Sequence, residues 1–113
     1  MTERITPRQF NEADGVEDWR VLSEDACAFF RTESLASGAR LVQAISELDL
    51  VADHSPAIDL RHDGVTVRLL TRTDDDWGMS DRDIELARQI AAVAGEEGVT
   101  ADPAGVRARP VLR

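Results

Sequence analysis

Apolar and polar positions along this 113-residue chain alternate in two distinct rhythms. Ile5-Thr6-Pro7-Arg8-Gln9-Phe10 has the signs of a helix start. Thr6 can cap, Pro7 suits the first helical position, and Gln9 completes a capping box with Ile5 and Phe10 at staple positions. Asp14-Gly15 stops that helix. The stretch from Asp18 to Ser23 then alternates around Trp19 and Val21. Ala26 to Arg31 carries Phe29 and Phe30, and Glu24-Asp25 makes a polar break between the two. This pattern predicts two antiparallel strands joined by a short turn, with Trp19 in the core.

Ser34 opens a long helical stretch, about Leu35 to Leu50. Leu35, Ala39, Val42 and Ile45 form one stripe, with Gly38, Leu41 and Leu48 beside it. The apolar arc is wide enough for two covered sides, one against a sheet and one against a partner subunit. Gly38 in mid-helix costs about 1 kcal/mol against alanine, and a close approach to a neighbouring helix or sheet would account for it. Pro56 ends the helical pattern. A hairpin follows, with Asp63-Gly64 as a two-residue turn signal. In that register His62 faces Val65, Leu60 faces Val67 and Ile58 faces Leu69. Asp59 with Arg68 and Arg61 with Thr66 then form the polar face.

Thr73 to Gly78 reads as a loop. Ser80 and Asp83 form a capping-box-like pair at the start of the last helix. Ile84, Ala87, Ile90, Ala91 and Ala94 supply its buried stripe, helped by Leu86 and Val93, and Gly95 and Gly98 end it. The order α-β-β-α-β-β-α, with single apolar stripes on the helices, predicts an α+β fold. Its core is a four-stranded antiparallel sheet with three helices packed on one face. Residues 1–97 form the expected domain, and 98–113, with Pro103, Gly105 and Pro110, read as a tail or linker.

Composition narrows the functional classes. Acids number 22 against 13 bases, a formal charge of -9. That argues against a sequence-independent grip on nucleic acid and against docking on anionic lipid, both of which need a basic footprint. No apolar run approaches the roughly 18 residues of a membrane span. The N-terminus leads into no apolar signal core, and the single cysteine, Cys27, fits a reducing, cytoplasmic setting. Cys27 has no catalytic partner in the sequence and reads as core. Only two histidines are present. His62 belongs to the hairpin and reads as structural. His54 lies in the junction Asp53-His54-Ser55-Pro56, between the long helix and the hairpin. Asp74-Asp75-Asp76 reads as a solvated loop, without the second ligand cluster or loop pattern of a metal site.

The element order, the Thr6-Pro7 helix, the Trp19 and Phe29-Phe30 strands, the His-Pro junction and Gly78-Met79-Ser80-Asp81-Arg82-Asp83 together resemble the pterin-4a-carbinolamine dehydratase family. The likeness runs over roughly Ile5 to Ala94. It extends to the N-terminal module of actinobacterial proteins in which such a domain precedes a glyoxalase-like domain. His54 stands where the family has the first histidine of a His-His-Pro, and Ser55 replaces the second. Arg72 stands where the family has a third histidine, and Asp83 matches its acid at the last helix.

The resemblance implies dehydration of a 4a-hydroxytetrahydropterin, as in 4a-hydroxytetrahydrobiopterin dehydratase. His54 and Asp83 would be catalytic, and Asp53, Ser55, Pro56, Arg72 and Trp77 would bind a reduced pterin. No cofactor and no metal are expected, and the protein would form a homodimer or homotetramer. Histidine titrates near neutrality and can move both protons the reaction requires. Serine and arginine cannot. The alternative is a non-catalytic pterin-binding or oligomerisation module, accessory to a fused glyoxalase-like domain.

Overall fold

The computed structural model describes residues 4–22, 25–53, 55–72 and 77–108. In chain order they form α1 (Pro7–Glu12), β1 (Arg20–Leu22), β2 (Asp25–Arg31), α2 (Leu35–Ser46), α3 (Asp49–Asp53), β3 (Ala57–Arg61), β4 (Gly64–Leu69), β5 (Thr71–Arg72), β6 (Trp77–Gly78), α4 (Asp81–Glu96), β7 (Thr100–Ala101) and α5 (Pro103–Ala108). The principal sheet has the order β1-β2-β4-β3, all antiparallel, and β7 joins β2 beyond the end of β1.

The expected α+β architecture is present, with additional short elements. One sheet face presents Ala26, Ala28, Phe30, Val65, Val67 and Leu69. It packs against Phe10 of α1, Leu41 and Ile45 of α2, and Leu86, Ala87, Ile90 and Ala94 of α4. Trp19 is buried there, edge-on to Phe30 with ring centroids 6.3 Å apart. Because side chains alternate along a strand, Cys27 and Phe29 point to the opposite face. There they cluster with Val106 of α5.

Helix starts follow the sequence signals closely. The Gln9 N–H donates to Thr6 Oγ1 at 3.1 Å while the Thr6 N–H donates to Gln9 Oε1 at 2.8 Å. This reciprocal box satisfies two backbone donors that a helix start would otherwise leave open.

The long helical stretch instead divides into α2 and α3. The Ser46 hydroxyl donates to the Gln43 carbonyl at 2.6 Å, a local bond that competes with helix propagation. Glu47 and Leu48 then bond back only three residues, to Ala44 and Ile45. The buried stripe of α2 is Gly38, Leu41 and Ile45. Leu35, expected on it, is 54% exposed, and Ala36, Ala39, Arg40 and Gln43 are also exposed. The buried arc of α2 is thus narrower than its composition implies, with Val42 only partly buried against the core. Gly38 permits a close helix–sheet approach: a Cβ there would lie 2.6 Å from Leu60 Cδ1.

The β3–β4 turn also differs from its sequence reading. His62 and Asp63 form the turn, and Leu60 pairs with Val65, Ile58 with Val67, and Arg61 with Gly64. The register is shifted by two residues, so the apolar and polar faces are preserved, but His62 is exposed at the turn. Asp59 pairs with Thr66, and Arg68 with Ala57. The glycine that marked the turn is needed within the strand: a Cβ on Gly64 would lie 2.2 Å from Phe29 Cε1. Gly64 makes room for an aromatic ring.

The stretch after Gly98, read from sequence as a tail or linker, forms β7 and α5. β7 pairs Ala101 with Phe30 and Thr100 with Arg31. The Asp102 N–H donates to the Phe29 carbonyl at 2.8 Å, and the Asp102 carboxylate pairs with Arg31. That hydrogen bond from Arg31 holds the Asp102 carboxyl below the usual carboxylate range. The depressed value means that this contact contributes above the ordinary carboxylate pKa and is lost as pH falls through the lowered one. Phe29 is enclosed between Gly64 and Gly105, with the Arg31 guanidinium carbon 5.7 Å from its ring centroid.

Two glycines give opposite expectations. Gly64→Ala is expected to destabilise the fold by about 1–3 kcal/mol, the usual cost of overpacking. Gly95 lies within α4 with nothing within 4 Å of a built Cβ, and Gly95→Ala is expected to stabilise by up to about 1 kcal/mol. Urea denaturation midpoints measure both.

Candidate functional site

At one end of the sheet, on the face opposite α1, α2 and α4, a cleft of about 320 Å³ is lined by Asp25, Ser55, Ala57, Arg68 and Leu70. Asp25 opens β2, Ala57 opens β3, and Arg68 lies near the end of β4. The register brings them together: Arg68 faces Cys27 across β2–β4 and Ala57 across β3–β4. Arg68 Nε donates to Asp25 Oδ2 at 2.8 Å, and Nη2 pairs with the same oxygen. Side-chain exposures are 24% for Arg68 and 13% for Asp25, so the pair is largely desolvated.

Cys27 lies beside this pair and is 4% exposed. Burial, followed by the Asp25 charge and opposed by Arg68, pushes its thiol from 9.0 up to about 11. The thiol is therefore protonated at neutral pH and a poor nucleophile, in keeping with its reading as core.

Ser55 contributes to the cleft rim. Its hydroxyl donates to the Val51 carbonyl at 3.0 Å, closing the end of α3. The donor that the sequence offered to a ligand is thus engaged within the chain, while the oxygen lone pairs can still accept. Pro56 is half-buried between two cleft residues in sequence.

A profile of the pterin 4 alpha carbinolamine dehydratase family matches residues 3–93. The chain belongs to that family. A Nocardia farcinica protein, provisionally named a pterin-4-alpha-carbinolamine dehydratase, is 33% identical over 94 residues. That alignment takes in 82% of this chain and 97% of the relative. A Mycobacterium leprae protein with the same provisional name is 30% identical over 81 residues, covering 72% of this chain and 84% of the relative. Among solved structures, a Brucella melitensis protein described as a transcriptional coactivator/pterin dehydratase superposes with a TM-score of 0.71 at 24% identity. It covers 82% of this chain and 100% of its own, and at that identity it supports the fold alone.

The residues expected to act in this dehydratase family are distributed unevenly. Ser55 lines the cleft. His54 and the Asp53 side chain lie outside the described residues. Arg72 and Trp77 pair across the β5–β6 hairpin, which begins directly after Leu70, and their side chains also lie outside the description. Asp83 is not among the residues lining the cleft. It is fully buried at the start of α4, where its Oδ2 accepts the Ser80 N–H at 2.8 Å. That is the capping role its spacing from Ser80 implies.

Asp25 and Arg68 were not singled out from the sequence as site residues. Alternation marked Arg68 as polar-facing, but its partner lies 43 positions earlier, in a strand whose pairing with β4 no local pattern announces.

Two expected outcomes follow from these placements. Asp83→Ala should cost about 1–2 kcal/mol in a denaturation experiment, the scale of a lost helix cap. An unchanged midpoint would contradict the capping role. Native Cys27 should react with iodoacetamide at pH 8 far more slowly than in denaturant. Val106→Asp, which disturbs its cover, should raise the native rate.

Proposed function

We propose that the chain is a dehydratase acting on a 4a-hydroxytetrahydropterin, with His54 as its acid/base. The observation that carries this reading is the cleft at the junction that bears the family resemblance: Ser55, the chain neighbour of His54, lines it. The reaction forms a C4a–N5 double bond in the pterin and expels the C4a hydroxyl as water. One proton must reach the leaving hydroxyl and one must leave N5. A neutral imidazole accepts a proton, and an imidazolium returns one, within the physiological range. A well-placed group of this kind contributes roughly 10²–10⁴ in rate.

Ser55 and Arg72 stand at positions where the resemblance places histidines. Their chemistry assigns them to binding, because a serine hydroxyl and a guanidinium do not exchange protons at neutral pH. That substitution favours a second reading, pterin binding without turnover. Self-association as a homodimer or homotetramer accompanies either reading. Exposed Leu35 on α2 is its one large apolar contribution among the described residues. None of the helices among the described residues is long and apolar enough to cross a membrane.

Dehydration of a 4a-hydroxytetrahydropterin, followed with the wild type and with His54→Ala, tests the proposal. The wild type is expected to exceed the buffer rate, with the variant slower by about 10²–10⁴. Equal rates, no faster than buffer, would rule out catalysis. Calorimetric titration with a reduced-pterin analogue would then decide for or against the binding reading.

A further inference from the structure

The hairpin that follows the cleft is held by the N-terminal segment. β5 starts directly after Leu70, a cleft residue, and pairs with β6 through Thr71 with Gly78 and Arg72 with Trp77. A two-stranded ribbon this short has little stability of its own. Met79 and Ser80 continue β6 and are buried. The Ile5 N–H donates to the Met79 carbonyl at 3.0 Å, and Arg4 bridges antiparallel to Ser80. The Ser80 N–H is in turn tied to Asp83 at the start of α4. The Arg4 side chain lies back along Gly78: a Cβ built there would stand 2.8 Å from Nη1, 3.1 Å from Cζ and 3.4 Å from Cδ. Gly78 has a φ of 152°, so both its backbone and the space beside it favour glycine.

Arg4 also has a further interaction within the chain, which suits it to holding the hairpin in place. A line of contacts runs from Arg4 to Gly78 and across the ladder to Thr71. From there it runs along the chain to Leu70 on one side and Arg72 on the other. We propose that Arg4 is a positioning residue for ligand binding, which sets where the β5–β6 hairpin stands against the cleft. The inference rests on the pterin reading above, in which Arg72 binds the ligand. Without Arg4 the hairpin keeps its sequence but loses its fixed place, and a ligand must order it on binding. That ordering weakens affinity.

Calorimetric titration of the full chain with 7,8-dihydropterin, read beside amide exchange of the ligand-free protein, tests this. Arg4→Ala is expected to raise Kd roughly tenfold at unchanged stoichiometry, the scale of ordering a few flexible groups on binding. Arg4→Lys keeps the charge and a flexible stem but loses the planar fork, and its Kd should fall between the two. In Arg4→Ala the amides of Thr71, Arg72, Trp77 and Gly78 should exchange faster, with those of β2 and β4 unchanged. A merely destabilised protein would instead bind with the wild-type Kd at reduced stoichiometry, and that result would overturn the proposal. A raised Kd without faster exchange in the hairpin would overturn it too. Should Arg4→Ala fail to fold, Arg4→Lys decides: a raised Kd supports the proposal and a wild-type Kd overturns it. Absence of binding by the wild type would overturn it together with the pterin reading. Wild-type binding that the Arg4 variants leave unchanged would overturn the proposal alone.

Discussion

The pairing of β2 with β4 is the constraint on which the rest of this structure depends. Ala26 to Arg31 run antiparallel to Leu69 to Gly64 in an unbroken register. That register sets which residues share a face. Ala26, Ala28 and Phe30 join Val65, Val67 and Leu69 in the core, while Asp25, Cys27 and Phe29 are sent to the other side with Thr66 and Arg68. It also brings the Phe29 ring over Gly64 and the Arg68 guanidinium to the Asp25 carboxylate. A slip of one residue would exchange the faces throughout. A slip of two would keep the faces but drive a side chain into the space that Gly64 leaves open. The close contact at Gly64 therefore selects among registers that alternation alone cannot distinguish.

The Asp25–Arg68 pair is poorly explained by stability. Removing two charges from water costs several kcal/mol per ion, and replacing such a pair by well-packed apolar residues is often neutral or stabilising. Its immediate neighbours include Cys27, whose thiol is pushed up to about 11 mainly by burial. The same partly buried surroundings hold the Asp25 carboxylate and the Arg68 guanidinium against each other.

Local signals in the sequence were sufficient wherever the deciding contacts are local. Thr6-Pro7 with Gln9, and Ser80 with Asp83, fix their helix starts through bonds spanning three residues. The alternating faces of β3 and β4 likewise follow from the chain itself. Legibility fails where a distant residue decides. Asp63-Gly64 looks like a turn until Phe29, more than thirty positions earlier, claims the glycine. The stripe assigned to α2 runs through Leu35 because periodicity does not reveal that Gly38 is the point of closest approach to Leu60. β7 and α5 are short, and their place depends on distant partners, β2 and Phe29 among them. The candidate site divides in the same way. The junction at Ser55 is visible in sequence, whereas the Asp25–Arg68 wall exists only once β2 and β4 have met.

The charge on the cleft side of the sheet bears on what it can bind. The chain carries a formal charge of -9, yet the ion pairs on this face balance: Asp25 with Arg68, Asp59 with Arg61, and Asp102 with Arg31. Among the described strand residues of this face each of these carboxylates meets a guanidinium, and Arg20, opposite Cys27 on β1, adds one more base. An anionic substrate would be repelled by the molecule as a whole, through its formal charge of -9. A neutral heterocycle has no such barrier. It would be held by hydrogen-bond geometry and apolar contact, which place a ring in one orientation, as removal of water from a defined C4a–N5 bond requires.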